Sequence, residues 1–169
     1  MNREVLFKAK SLDDGKWVEG YYAKLGYGKN VKHFIIQNVC LDEDNVYFYD
    51  IEIDLNTLCQ YTGLNDNTHW EDLTESEKEL FLSNWNYKEN RRNKIEDWNG
   101  NKIWENDICL MVYNGVVNTY IIVWDKDELD FKETNGKENY GRNYEYLGCC
   151  EEIIAIGNIF DNADLLEVE

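Results

Sequence analysis

The sequence predicts a mainly β fold of antiparallel sheets interrupted by one inserted α-helix. Three observations carry this. Short runs rich in β-branched and aromatic residues recur along the 169-residue chain, 14% of which is Phe, Trp or Tyr. Asp-Gly and Asn-Gly pairs separate several of these runs, as in tight hairpins. Only one stretch, beginning near Thr74, combines a helix cap with a run of helix-forming residues. Strand pairs at short spacing with glycine turns favour antiparallel sheets or small barrels over a doubly wound fold.

Each element follows from local chemistry. "REVLFKAK" and "KWVEGYYAKL" flank "SLDDG", which predicts a first hairpin. After the break at "GYGKN", "VKHFIIQNV" reads as a strand, and "CLDEDN" (with Asp42, Glu43 and Asp44) as a solvated turn. In "VYFYDIEID" the side chains alternate. Tyr47, Tyr49, Ile51 and Ile53 form the more apolar face, opposite Val46, Phe48 and Asp50. "LNTLCQYTG" is a shorter strand ending at Gly63. Thr74 and Glu77 form a capping box, and a helix of about four turns is expected from there. Glu75, Glu77 and Glu79 suit its positive end, and the basic run "KENRRNK" its negative end. Asn114-Gly115 joins "DICLMVY" to a strand in "NTYIIVWD". Leu129 and Phe131 suggest another short strand, and "YEYLG" and "EEIIAIGNIF" are the last. Asp161 or Asn162 would cap a final helical turn.

The totals exclude several functions. A net charge of −17 is incompatible with a broad polyphosphate interface, which needs clustered Lys and Arg. No direct nucleic-acid partner is expected. Apolar runs are too short for a membrane helix, and Arg3, Glu4 and Lys8 interrupt any leader-like apolar stretch. Five cysteines without a regular framework suggest reduced thiols and a cytosolic location.

"DWNGNKIWENDICLM", Asp97 to Met111, is the densest polar stretch. Asn99-Gly100 is read as a turn. Asn106 suits a left-handed position, and Asp107 can accept neighbouring backbone amides, so the pair sets up the next strand. Small SH3-like barrels often start a strand this way, which suggests one in the C-terminal lobe.

Four stretches in order carry a family resemblance: "REVLFKAKSLDDGKWVEGYY", "LCQYTGLND", "NGNKIWENDICLM" and "IAIGNIFDNADLL". In this order the chain resembles the YopX family of phage and prophage proteins. Family members usually have Gly where Asn106 stands, and run the Gln-Tyr-Thr-Gly-Leu segment almost directly into the Asn-Gly-Lys segment. The resemblance implies a mostly β fold, with residues 65–98 as a helical insertion between a lobe at 1–64 and a barrel-like lobe at 99–169. It implies no catalytic residues, because the family has no established activity.

Candidates for chemistry are sparse. His33 and His69 are the only histidines, and no His-x₃-His or Cys-x₂-Cys spacing exists. Cys149 and Cys150 are adjacent, so on a strand they would face opposite sides. "GYGKN" lacks phosphate-loop spacing. No catalytic, metal or cofactor set is expected. Trp98 and Trp104 bracket the Asn99-Gly100 turn and are read as covering the barrel floor; with Trp85 they are otherwise candidate aromatic anchors. Asp50, Glu52 and Asp54 form a candidate acidic row on one strand face, which would repel other strand edges or meet a basic surface. Two roles remain. One is a non-enzymatic binding or assembly module, self-associating or meeting a basic host or phage protein. The other is an acidic mimic of nucleic acid that occupies a host DNA-binding protein.

Overall fold

The computed structural model describes residues 5–42, 45–86, 89, 91–135 and 145–166; for residues 38–42, 45–46, 85 and 145–146 only the backbone is described. In chain order its strands are β1 Phe7–Lys10, β2 Trp17–Leu25, β3 Lys32–Asp42, β4 Asn45–Glu52, β5 Cys59–Asn65, β6 Trp85–Asn86, β7 Arg91–Arg92, β8 Lys102–Trp104, β9 Asp107–Tyr113, β10 Val116–Asp125, β11 Asp130–Thr134, β12 Glu145–Tyr146 and β13 Glu152–Asn158. Helix α1, Glu75–Ser83, lies between β5 and β6. The fold is mainly β and antiparallel, as the turn chemistry predicts.

The chain forms two compact units that cross the linear division read from the sequence. One joins Cys59–Asn67 to Asn101–Glu169; the other joins Glu4–Leu58 to Thr68–Gly100. Residues 68–98 therefore fall in the same unit as the N-terminal strands.

In the N-terminal unit the strand order is β4-β3-β2-β1. The meander closes at one end. Ser11, just past β1, bridges to Ile53, just past β4. Leu12 N donates to Glu52 O and Asp54 N to Lys10 O, both at 2.9 Å. Gly20 permits the tight approach of β2 and β3, since a Cβ there would stand 2.3 Å from Ile36 O. Ala9, Ile35 and Ile53 form the buried core, with Phe7, Val18, Tyr22 and Leu58 packed against them.

The helical segment of this unit departs from expectation. Its cap is as predicted: Glu77 N donates to Thr74 Oγ1, and Thr74 N to Glu77 Oε2 at 2.8 Å. The helix nevertheless spans nine residues and ends at Ser83. Its last carbonyls are met from outside: Arg92 donates to Ser83 O, and Asn93 Nδ2 to Phe81 O at 3.0 Å. Asn84 instead accepts from Asn93 N, opening the β6–β7 hairpin. The basic run thus does not continue the helix. Arg92 reaches the helix end through space, while Arg91 pairs with Asp97; Lys88 lies outside the described residues.

In the C-terminal unit the order is β12-β11-β10-β9-β13. The last strand returns to pair with the first, and a 3₁₀ turn, Leu147–Cys149, precedes it. This is the order of an SH3-like sheet. Asn114 and Gly115, at φ +50° and +74°, make the tight turn between β9 and β10. Ile103, Cys109, Met111, Ile122, Phe131, Leu147 and Ile153 form the core.

Candidate functional site

The structure separates residues that build turns from residues that face solvent. Gly100 adopts φ +81° and Asn106 φ +67°, the left-handed conformations the sequence suggested. Asp107 is buried and accepts Trp104 N at 2.8 Å. Asn106 N donates to Ile122 O, and Ile159 N to Asn106 O, so this corner ties three strands of one unit. Its polar groups are used internally, as a turn requires.

The tryptophans named as candidate anchors differ in burial. Trp104 is buried, with its ring 5.4 Å from Tyr61. Trp98 is half-buried; its ring meets Phe81 edge-on at 5.2 Å, Phe81 meets Trp70 at 5.8 Å, and its Nε1 donates to Thr68 O. The cluster anchors α1, which has no fully buried residue of its own. Trp85 falls on β6, and its side chain is outside the described residues.

The acidic row is also divided. Glu52 pairs with Lys32 at 2.6 Å. Asp54 lies beyond β4 and caps a 3₁₀ turn by accepting Asn56 N. Only Asp50 is exposed without an ion-pair partner among the described residues.

Beside Asp50 lies a feature that the alternation pattern missed. Tyr47, Phe48 and Tyr49 are 49%, 69% and 53% exposed. Both faces of β4 are therefore open there, although Ile53 at its end is buried. Among the described residues β4 is also an edge strand, paired only with β3. Leu12 N occupies Glu52 O on its other side. Backbone groups alternate direction along an antiparallel strand. Those of Asp50 and Phe48 therefore point, like Glu52's, away from β3. Where the β1–β2 turn leaves this edge, a cleft of about 670 Å³ opens, lined by Leu12, Asp13, Trp17, Asp50, Ile51 and Glu52 among others. Lys8 and Lys10 stand over the Trp17 ring at 5.1 and 5.5 Å.

The titratable groups of the C-terminal unit point away from nucleophilic chemistry. Tyr113 donates to the buried Glu133 carboxylate. Burial and that carboxylate push the phenol well above its usual range. Burial, then Glu133, raises the Cys150 thiol. Both effects hold the thiol protonated, the reverse of what a thiolate nucleophile needs. Cys149 is exposed, on a 3₁₀ turn instead of the expected strand. His33 Nδ1 lies 2.6 Å from Tyr22 Oη. Among the described residues no group of three or more His, Cys, Asp or Glu is placed to hold a metal. No described helix is long and apolar enough to cross a membrane.

The comparison with protein families supports the resemblance over the last two of its four stretches. No curated protein matches the chain. A solved structure similar to it is the crystal structure of protein EF1440 from Enterococcus faecalis, at 16% identity and a TM-score of 0.46, covering 98% of this chain and 99% of that one. The model of the family described as YopX protein matches residues 68–167, a span that takes in the helical segment and the whole Asn99–Asp107 corner. That span exceeds half of the chain, and the chain belongs to the YopX family.

Proposed function

We propose that this YopX-family protein works by protein contacts, as a non-enzymatic binding or assembly module of a phage or prophage in the host cytosol. The observation that carries the reading is the open edge of β4, with three consecutive exposed aromatic residues. Soluble proteins usually blunt such an edge with lysine, proline or a covering segment. An edge left open with large apolar side chains is suited to strand addition.

The charge of −17 separates two kinds of partner. Two copies repel, so self-association through β4 grows as salt screens the repulsion. A basic partner behaves in the opposite way. Light scattering after size-exclusion chromatography, at low and high salt, tests the first. A discrete multimer that Phe48→Lys abolishes supports the reading. A monomer at every salt and concentration, captured by nothing, overturns it, as does turnover of a nucleotide or ester by the pure protein.

The charge also favours a second reading, nucleic-acid mimicry. It has weaker support among the described residues, where Asp66, Asp97, Asp107 and Asp125 are spent on internal bonds. Capture of a host DNA-binding enzyme, lost on adding duplex DNA, would select it.

A further inference from the structure

We propose that the open edge of β4 takes, as an added strand, an extended basic segment of another protein in which apolar residues alternate with Lys or Arg. This rests on the protein-contact reading above and names the partner chemistry.

The alternation of β4 specifies the segment. Phe48, Asp50 and Glu52 share one face, and Tyr47, Tyr49 and Ile51 the other. An added strand keeps this period. Its residues on the first face meet Asp50 and the Phe48 ring, along which the stem of a Lys or Arg can lie, and those on the second meet the rings of Tyr47 and Tyr49. Cations therefore belong on one face and apolar side chains on the other. The backbone groups of Phe48 and Asp50 supply the pairing bonds.

The surroundings favour a cation opposite Asp50. Asp13, in the β1–β2 turn, lines the adjoining cleft with Asp50. Neither carboxylate has an ion-pair partner among the described residues. The other acids of the cleft are engaged: Asp14 with Lys16 at 3.0 Å and Glu52 with Lys32 at 2.6 Å. The positive groups nearby are thus held, Lys8 and Lys10 over Trp17 and the other two by carboxylates.

A second copy is the poorer occupant. β4 reads Asn-Val-Tyr-Phe-Tyr-Asp-Ile-Glu and contains no Lys or Arg to offer. Pairing two β4 strands brings two acidic chains together, with no cation opposite Asp50 in any register.

The test uses the full chain and a defined probe. A fluorescein-labelled nonapeptide alternating Val and Arg, with acetylated and amidated ends, is titrated and followed by anisotropy. The same peptide with Glu for Arg is the control. The Arg peptide should bind saturably and lose about tenfold or more in affinity between about 50 and about 500 mM salt. The Glu peptide should not bind. Asp50→Lys should weaken the Arg peptide by about tenfold, the cost of exchanging one attractive charge contact for a repulsive one. Phe48→Pro removes an edge-facing N–H without removing a bond to β3, and should weaken it similarly. Glu79→Lys, an exposed charge change on α1, should leave affinity unchanged. Equal binding of the two peptides, unchanged affinity in Asp50→Lys, or an equal loss in Glu79→Lys overturns the proposal. If Phe48→Pro alters the circular dichroism spectrum, slowed hydrogen exchange at Phe48 and Asp50 on adding peptide replaces it, and unchanged exchange is the negative result. Failure of the Arg peptide to bind, beside a multimer that Phe48→Lys still abolishes, defeats this inference and leaves the protein-contact reading standing.

Discussion

The strands β13 and β4 each pair with one neighbour and meet opposite fates on their other side. β13 pairs with β9, and a two-residue corner covers its far edge. Asn67 N donates to Ile153 O and Ile153 N to Asn67 Oδ1, both at 2.8 Å, while Ala155 N donates to Asp66 Oδ2 at 3.2 Å. One backbone bond and two side-chain acceptors thus occupy that edge. β4 has a comparable cover only at its end, where Leu12 N meets Glu52 O. From Asp50 back to Tyr47 no described residue pairs with the edge, and its aromatic side chains are exposed. The described residues cover one edge with a buried aspartate and leave the other uncovered, and the proposed contact surface rests on this contrast.

The contrast can be broken most severely at Asp66. Its carboxylate accepts Asn101 N at 2.7 Å as well as Ala155 N. Asp66→Ala leaves buried amides without their acceptor and should cost about 3 kcal/mol. That corresponds to a fall in melting temperature of roughly 6–12 °C. The variant should also aggregate through β13, seen as scattering that the native protein does not show. A melting temperature within a degree of the native value would mean that the cover contributes little.

Asn67→Ala is the milder form. It removes the acceptor of Ile153 N but keeps Asp66, and should destabilise by about 1 kcal/mol in urea unfolding. Hydrogen exchange sharpens the comparison without mutation. The amides of Ile153 and Ala155 should exchange at least about a thousandfold more slowly than those of Phe48 and Asp50. Similar rates at the two edges would remove the distinction.

The smallest effect asks whether the unit with the bare edge is loose in general. Its hairpin is pinned by Arg91, whose hydrogen bonds to Asp97, joined by the amide of Lys94, lower that carboxyl to about 2. A carboxyl depressed on folding contributes stability that is present above its unfolded value, near about 4, and lost as pH falls towards the folded one. The hairpin should therefore hold at pH 5 and loosen between about pH 4 and about pH 2. Arg91→Ala should raise the Asp97 titration, followed by carbon NMR, part of the way towards about 4, since the Lys94 amide still donates to the carboxylate. An unchanged titration would show that Arg91 is not its cause.

Features set by near neighbours were legible in the sequence. The Thr74–Glu77 cap, the left-handed Asn106 and the Asn114-Gly115 turn each depend on a few adjacent residues. Features set across the chain were not. Trp104 could be read as covering the barrel floor or as a surface anchor, and only packing, which spacing does not report, shows that it is buried. The helix was expected to run on because nothing local forbids it; Arg92 and Asn93 end it from beyond the hairpin. Tyr47 and Tyr49 share the period of Ile51 and Ile53, so alternation placed all four on the more apolar face. The strand leaves the core at Asp50, and a two-residue period carries no information about where a strand departs.

The corner at Asp66–Asn67 also bears on the order in which the chain is made. It is synthesised long before Ile153, 86 residues later. Synthesis proceeds from the N-terminus, so β9 and this corner both precede β13 on the ribosome. The last strand of the sheet is thus met by partners on both sides as it emerges, and that side of the sheet has little time in which to recruit a neighbouring nascent chain.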